Sequence, residues 1–293
     1  MESSKARKRL HALGPGIIAA TSFGISDTFS KMVFADGGDV LTLAVTRGIF
    51  GLVIMFFYLR MGPPVVPDTP RTRWFGLGLG VLFAAIIYGL FKAIELITAP
   101  VAVLTYFIYP LLTGIAGAIF GVERLGWQGA LAAIVAFFGL MLTIGAHPQD
   151  LSVAGVAFAI GAALCRVAFL LIARTEMQGA DPRLSTWHSL VSSTAIFVLA
   201  ALVTMNWHMP HTAVGWIAVA IVCVGTALAT LTLYISAVRI GPFRSALIMN
   251  LEPLLVTILS APLLGEVITP VQALGGAIML AAIVAFQVRR KVS

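Results

Sequence analysis

Ten stretches of about 20 mostly apolar residues occupy almost the whole chain, and this pattern most constrains how it can fold. The hydrocarbon core of a bilayer is about 30 Å thick, so a helix needs roughly 20 apolar residues to cross it. The ten stretches are residues 13–34, 40–59, 73–95, 100–120, 127–145, 152–173, 185–204, 213–236, 244–264 and 270–288. Short linkers with turn residues, such as Gly62-Pro63-Pro64 and Gly241-Pro242, separate them. The sequence therefore predicts an all-α membrane protein with ten transmembrane helices.

The composition agrees and excludes a soluble enzyme. Only 11% of the residues are charged and the mean hydropathy is +1.00, whereas a soluble domain carries about 25% charged residues. The net charge of +7 does not indicate a nucleic-acid partner. The basic residues lie between apolar stretches and form no single stripe, so we expect no nucleic acid as a partner. Cys165 and Cys223 lie inside apolar stretches, so we expect no disulfide framework, metal site or cofactor.

The positions of Lys and Arg predict the orientation of the chain, because cytoplasmic loops of membrane proteins are enriched in these residues. The apolar run 13–34 is too long for the core of a signal peptide and is predicted as the first span. With the amino terminus inside, 15 of the 19 basic residues are cytoplasmic. They are Lys5, Arg7, Lys8, Arg9, Arg60, Arg71, Arg73, Arg124, Arg174, Arg183, Arg239, Arg244, Arg289, Arg290 and Lys291. We predict a multi-pass protein of the plasma membrane with both termini in the cytoplasm.

An internal repeat relates the two halves of the chain. The segment Tyr109-Pro110-Leu111-Leu112 is followed by Glu123, and Glu252-Pro253-Leu254-Leu255 is followed by Glu266 at the same interval. Each half holds five predicted spans, an odd number, so the halves must enter the bilayer in opposite orientations. Such inverted repeats are typical of secondary transporters, with the binding site near the midplane. We predict two five-helix repeats, residues 1–146 and 147–293.

These features resemble the drug/metabolite transporter superfamily, EamA type. The resemblance rests on ten spans in two halves and on a proline-bearing fourth helix followed by Gly121-Val122-Glu123 or Gly265-Glu266. It covers essentially the whole chain, although Val122 separates Gly121 from Glu123 in the first half. The resemblance implies secondary transport of small organic solutes, such as amino acids, vitamins or nucleotide-related metabolites, and it names no substrate.

Two prolines predict bent helices at the centre of the bilayer. The helical rise places Pro110 about 15 Å and Pro253 about 13 Å into their spans. Each proline removes a backbone N–H and crowds the carbonyl four residues earlier, at Tyr106 and Met249. Because a free carbonyl at this depth needs protein or a wet cavity beside it, we predict two kinked helices that line a central pocket. The alternative is a static packing kink.

Polar side chains near the same depth are candidate substrate contacts. Glu252 could bind a substrate amine or carry the proton that drives transport, and the alternative is a structural ion pair. Arg166 could hold a substrate carboxylate, or it could pair near the inner mouth. Tyrosines combine apolar contact with hydrogen bonding. The predicted substrate-binding residues are Tyr88, Tyr106, Tyr109, Arg166, Tyr234, Asn250 and Glu252.

Asp27, Lys31 and Arg47 form a second candidate group near the outer side. Asp27 and Lys31 are four residues apart and share one helix face. Arg47 reaches Asp27 if the first two spans pack together. We predict an outer-gate ion pair, and the alternative is a salt bridge that only stabilises the fold.

The predicted function is secondary active transport by alternating access, with export of an amino acid or related metabolite as the leading hypothesis. The expected partners are a small-molecule substrate, the lipid bilayer and a proton as coupling ion. Uptake of a vitamin or nucleoside-like metabolite is the alternative within transport. An intramembrane enzyme is disfavoured, because the sequence shows no metal-binding His-Glu spacing and no Ser/His/Asp grouping.

Overall fold

The structure is a computed structural model that describes residues 2–145, 152–205, 207–265 and 267–289. Every regular element in these ranges is an α-helix. The helices are α1 (Glu2–Ala35), α2 (Val40–Met61), α3 (Pro70–Leu96), α4 (Ala99–Tyr106), α5 (Tyr109–Ile119), α6 (Trp127–Ile144), α7 (Val153–Thr175), α8 (Pro182–Thr204), α9 (Ala213–Ile240), α10 (Pro242–Met249), α11 (Leu251–Leu264) and α12 (Pro270–Arg289). The prediction of an all-helical membrane protein is confirmed.

Eight helical segments among the described residues are long and apolar enough to cross a membrane. In two of them, a short helix and its successor form one segment, namely α4 with α5 and α10 with α11. The apolar part of α12 with described side chains, Pro270–Phe286, is shorter than the other spans, and α1 contains Asp27 and Lys31. The count of ten spans therefore stays a prediction.

Side chains in the linkers explain where several helices begin. Asp39 accepts hydrogen bonds from the backbone N–H groups of Leu41 and Thr42 and so caps α2. Thr69 and Thr72 form a reciprocal capping box at the start of α3. Such caps satisfy N–H groups that have no partner within the helix. Polar residues at the ends of these linkers thus stabilise the start of the helix that follows.

The fourth and ninth predicted spans are each divided near their proline. Helix α4 ends at Tyr106 and α5 begins at Tyr109, while α10 ends at Met249 and α11 begins at Leu251. The chain turns tightly at the second junction, where the N–H of Asn250 bonds to the carbonyl of Leu247 at 3.3 Å. Tyr106 and Met249 are the residues whose carbonyls the prolines crowd.

The two halves pack against each other through several pairs of helices. Helix α1 packs on α9, α3 packs on α7 and α8, and α6 packs on α12. The α6–α12 crossing requires glycine, because a Cβ on Gly139 or on Gly275 would lie 2.6–2.7 Å from backbone atoms of the other helix. The largest cluster of buried apolar residues surrounds both helix breaks. The breaks therefore lie at the centre of the bundle.

Some residues named in the sequence analysis fall outside the described ranges. They are Glu266, Arg290 and Lys291. The second-half counterpart of Glu123 is therefore not placed.

Candidate functional site

Arg166 of α7 lies at the centre of the candidate site. Its side chain is buried, and its Nε donates a hydrogen bond of 2.7 Å to the hydroxyl of Tyr106. Its Cζ lies 5.8–5.9 Å from the ring centroids of Phe23, Tyr109 and Phe169. Aromatic faces attract a guanidinium and partly replace lost water.

One nitrogen of this guanidinium, Nη1, is buried without a hydrogen-bond partner. A buried donor with no acceptor costs about 1–3 kcal/mol. A ligand oxygen at this position would remove that cost. Arg166 is therefore arranged to receive an anionic or strongly accepting group.

Asp27 of α1 and Glu252 of α11 form an acid pair beside Arg166. Their side chains lie within hydrogen-bonding reach of each other, and two carboxyl groups can share a hydrogen bond only if one carries a proton. The Oε2 atom of Glu252 is buried and has no hydrogen-bond partner. The pair thus offers an acceptor in the same region where Arg166 offers a donor.

A glycine brings the two acids together. A Cβ on Gly24, one turn before Asp27, would lie 3.0 Å from the carbonyl oxygen of Glu252 and 2.9 Å from the Cβ of Leu255. The absence of a side chain therefore lets α1 approach α11 closely. Asp27 is surrounded by helices and is nevertheless exposed, so it lines a water-accessible space within the bundle.

The other two predicted gating residues extend this group along α1 and α2. Arg47 is half-buried, is attracted electrostatically to Asp27 and lies 5.8 Å above the ring of Phe83. Lys31 donates a hydrogen bond of 3.1 Å from Nζ to the hydroxyl of Ser260 on α11. The structure therefore brings Asp27 and Arg47 into one region and directs Lys31 toward α11.

The remaining predicted substrate contacts divide into near and distant residues. Asn250 lies at the α10–α11 junction, buried, with Oδ1 unpartnered. Tyr234 is buried with its ring centroid 5.1 Å from that of Phe169. Tyr88 lies apart, because its side chain is 62% exposed and it contacts the edge of Phe158. Its predicted role in substrate binding therefore has no support from its position.

Sequence reasoning named Tyr109 but missed the rings of Phe23 and Phe169 beside Arg166, and it missed the glycine that precedes Asp27. Phe169 stands three residues after Arg166, so helical spacing could have placed the two side chains on one face. Gly24 stands three residues before Asp27 and could have indicated a close helix approach. Phe23 and Ser260 carry no comparable local signal, since each contacts a residue of a different helix.

Polar contacts also join the two halves near the start of α8. The Nε2 atom of His188 lies 2.7 Å from an Asp68 carboxylate oxygen, and Arg73 donates to the same carboxylate. The Arg73 guanidinium and the His188 ring hold the pKa of Asp68 below its usual value. Arg183 donates to the carbonyls of Pro63 and Pro64 at 2.8 and 3.1 Å. These contacts fix the α2–α3 linker on α8.

At the other end of the bundle, the α1–α2 linker contacts the α8–α9 linker. Asp36 accepts hydrogen bonds from the N–H and the hydroxyl of Thr212, both at 2.9 Å. Asp39 accepts one from the N–H of His208 at 2.8 Å. The backbone hydrogen bond from Thr212 lowers the pKa of Asp36. We call this contact the linker clasp.

Glu123 forms a further contact between the halves. Its Oε2 accepts a hydrogen bond of 3.1 Å from the backbone N–H of Phe243, in the first turn of α10. This carboxylate therefore caps the first segment of the second bent helix. Among the residues that the structure describes, no three His, Cys, Asp or Glu side chains are grouped so that they could hold a metal ion.

Three comparisons with known proteins bear on this arrangement. The sequence profile of the EamA-like transporter family matches residues 13–145 and 153–286. A protein of Synechocystis sp. named as an uncharacterized transporter is 25% identical over 210 residues, which is 69% of this chain and 63% of that protein. The matched part thus spans less than two thirds of that relative.

A solved crystal structure, whose title names no activity, is similar in fold. Its TM-score is 0.78, and the alignment covers 94% of this chain and 99% of that chain at 19% identity. Because the identity is low, this likeness supports the fold alone.

Proposed function

The chain belongs to the EamA-like transporter family, and from this premise we propose that it exports an amino acid or a related small metabolite by alternating access. The family supports membrane transport of a small solute, and a carrier rather than an enzyme is consistent with it. The observation that supports this substrate class is the pairing of unpartnered polar atoms at the centre of the bundle. Arg166 offers a donor there, and Glu252 offers an acceptor.

An amino acid complements these atoms in both charge and shape. Its carboxylate would accept from Nη1 of Arg166, as guanidinium–carboxylate pairs commonly do. Its ammonium group would donate to the Asp27–Glu252 pair and to the free oxygen of Asn250. Aromatic rings around Arg166 would contact an apolar portion. A solute with only one of the two charges would leave one buried partner unsatisfied.

The acid pair also provides a binding site for a coupling ion, the proton that Asp27 and Glu252 share. An ammonium group that binds between Asp27 and Glu252 would replace the proton they share, because both groups then act as acceptors. Proton entry from outside would return the pair to its protonated state and release the solute. The proposed mechanism is therefore exchange of an exported amino acid for an incoming proton.

Reciprocal packing between the halves supports an inverted ten-span architecture, with repeats at residues 1–146 and 147–293. In that architecture, α1, α2 and α3 correspond to α7, α8 and α9. Helix α1 packs on α9 as α7 packs on α3, and α2 packs on α9 as α8 packs on α3. Likewise, α1 packs on α11 as α7 packs on α5. Exchange of partners is expected from a two-fold axis in the membrane plane.

The proposed location is the plasma membrane, with both termini in the cytoplasm. A membrane-impermeant maleimide tests this topology in a variant without Cys165 and Cys223. We expect Arg124→Cys to be labelled only from the cytoplasm and Val267→Cys only from outside. Both cysteines should react after the membrane is permeabilised. Labelling of both from the same side would remove the inverted repeat and its central site.

Counterflow in proteoliposomes tests the transport activity. Vesicles loaded with an unlabelled amino acid should accumulate the labelled one above equilibrium, and the rate should saturate. Protein-free vesicles are the control, and a vitamin and a nucleoside complete the panel. Exchange of only the vitamin or the nucleoside would replace the proposed substrate class. Non-saturating flux would indicate a channel, and a chemically altered product would indicate an enzyme.

The direction of transport needs intact cells. Cells that express the protein should lose a preloaded labelled amino acid faster than cells that express the Glu252→Gln variant. Faster uptake without faster loss would reverse the proposed direction.

A further inference from the structure

Three hydroxyl groups form a column along one face of α9. Thr226, Thr230 and Tyr234 follow one another at intervals of four residues, so their side chains share a helix face. All three residues are buried, and none is more than 3% exposed. Burying a hydroxyl costs free energy unless it finds a hydrogen-bond partner. The partners of these groups therefore indicate what the hydroxyl column does.

Two of the three hydroxyls have no hydrogen-bond partner in the protein. They are the Oγ1 atom of Thr226 and the phenolic oxygen of Tyr234, and both atoms are buried. Thr230, between them, donates a hydrogen bond of 2.8 Å to the carbonyl of Thr226. Because a hydroxyl can both donate and accept, Thr226 and Tyr234 each offer both functions to a ligand.

One end of the hydroxyl column lies beside Arg166. The ring centroids of Tyr234 and Phe169 are 5.1 Å apart, and the Cζ atom of Arg166 lies 5.9 Å from the Phe169 centroid. A single aromatic ring therefore separates Tyr234 from the guanidinium that would bind the solute carboxylate.

The other end of the hydroxyl column lies toward the acid pair. Cys223 precedes Thr226 by three residues and so lies on the same face of α9. Cys223 is within electrostatic range of Arg47, which in turn attracts Asp27. The helical rise separates Thr226 from Tyr234 by about 12 Å. The column therefore runs alongside the central site, from the surroundings of Asp27 to those of Arg166.

Packing of the span does not by itself require these hydroxyls. In the proposed repeat, α3 of the first half corresponds to α9. When the two helices are aligned at their last residues, Leu96 and Ile240, the hydroxyl column corresponds to Leu82, Ile86 and Leu90. An equivalent helix thus packs in the bundle with apolar side chains at all three positions.

We propose that the hydroxyl column binds the side chain of the transported amino acid and selects one with an uncharged polar group, a hydroxyl or an amide. The inference rests on the proposed function and narrows its substrate class. Such a group supplies the hydrogen bonds that Thr226 and Tyr234 lack, whereas an apolar side chain would leave both unpaired. A buried charge needs a partner of opposite charge, and α9 contains no charged residue before Arg239.

Counterflow of two matched pairs of amino acids tests the proposal in the wild-type protein. Vesicles are loaded with one unlabelled amino acid and receive the same amino acid in labelled form outside. Threonine and valine have nearly the same shape and differ by a hydroxyl, and asparagine and leucine differ in the same way by an amide. Within a pair, the polar member should exchange at least about tenfold faster, because a site built around a hydrogen-bonding group rejects the analogue that lacks it.

Three variants test whether the hydroxyl column provides this selectivity. Thr226→Val and Tyr234→Phe should each lower the ratio of threonine to valine exchange about fivefold, since each removes one hydrogen-bonding group. Thr232→Val is the matched control on another face of α9, because the Thr232 hydroxyl already donates to the carbonyl of Leu228 at 2.7 Å. That control should keep the wild-type ratio. A loss of folded protein lowers both rates alike and leaves the ratio unchanged.

The results distinguish failure of this inference from failure of the proposed function. Equal exchange within each pair, or faster exchange of the apolar members, would overturn the role of the hydroxyl column and leave amino acid transport in place. Exchange of none of the four amino acids, with saturable exchange of the vitamin or the nucleoside, would remove the proposed substrate class and this inference with it. An unchanged ratio in both Thr226→Val and Tyr234→Phe would show that other residues select the side chain.

Discussion

The two bent helices share one backbone plan and carry different chemistry. Each consists of a short helix, a break and a longer helix with proline near its start, at Pro110 or Pro253. At the first break, Tyr106 and Tyr109 are buried, and Tyr106 bonds to Arg166. At the second break, Asn250 and Glu252 each have an oxygen without a hydrogen-bond partner.

This difference indicates that the repeat preserves the bend and not the polar side chains beside it. A proline removes a backbone N–H and crowds the carbonyl four residues earlier, whichever side chain precedes it. The neighbouring residue is free to change, so Tyr109 occupies the position that Glu252 has in the other half. A solute with an apolar part and an ammonium group is bound best by aromatic side chains on one side and acidic side chains on the other. The comparison predicts that the second bent helix supplies the acidic group of the site and that the first supports Arg166 through Tyr106.

The largest expected effect comes from Glu252→Gln. Removing the charge while keeping the shape should lower the counterflow rate about 10- to 100-fold, because hydrogen bonds to charged groups contribute about 1.5–3 kcal/mol. Glu95→Gln is the matched control, since Glu95 lies at the exposed end of α3, paired with Lys92. That control should transport normally.

Folding must be measured in the same preparations, by thermal unfolding and elution volume in detergent. A folded Glu252→Gln protein with wild-type counterflow would remove the acid from the mechanism. It would also make the two bent helices equivalent, contrary to the comparison.

The sequence predicted the helices and the breaks because both depend on local chemistry. Runs of apolar residues determine the spans, and a proline acts on the carbonyl four residues before it. It could not place Arg166 against Tyr106, 60 residues away, or Asp27 against Glu252. Those neighbours depend on how helices pack, and packing is set by small features such as Gly24. Tyr88 illustrates the limit, because its position in a span did not reveal that it faces outward.

The second expected effect separates the two tyrosines of the first bent helix. Tyr106→Phe removes the acceptor of the Arg166 Nε–H group and leaves a buried charged donor unpaired. We expect about a tenfold loss of transport, together with lower thermal stability. Tyr109→Phe keeps the ring that faces Arg166 and should change both quantities less. Counterflow rates and melting curves of the two variants provide the measurement.

A reversal of that order would mean that Tyr109, not Tyr106, supports the arginine. The first bent helix would then contribute a hydroxyl at the position that matches Glu252. In that case, the chemistry of the two halves would be more symmetric than the structure indicates.

The third effect concerns Asp27 of the acid pair and its neighbour Arg47. Asp27→Asn and Arg47→Gln should each reduce transport, and the double variant should lose less than the product of the two factors. We expect a coupling of about 1 kcal/mol, or about fivefold, as is usual for interacting charged pairs. Rates that simply multiply would show that Asp27 acts through Glu252 and Arg166 without Arg47.

The smallest effect on transport is expected at the linker clasp, which joins the halves far from the bent helices. Asp36→Asn should leave the counterflow rate unchanged at neutral pH and should change how stability depends on pH. The folded protein lowers the pKa of Asp36 below 3.8, chiefly through the N–H of Thr212. Its carboxylate therefore stabilises the fold above that pH, and the contribution is lost as the pH falls through the lower, folded value.

Melting curves between about pH 5 and about pH 2 should thus fall less steeply for the variant than for the wild type. Asp68→Asn is the matched variant at the other end of the bundle, because Arg73 and His188 lower the pKa of Asp68 as well. Its melting curves should also depend less steeply on pH than those of the wild type. If Asp36→Asn abolished transport while its melting curve stayed normal, the linker clasp would belong to the transport cycle. The division between functional bent helices and stabilising linkers would then fail, because a contact outside both breaks would carry part of the mechanism.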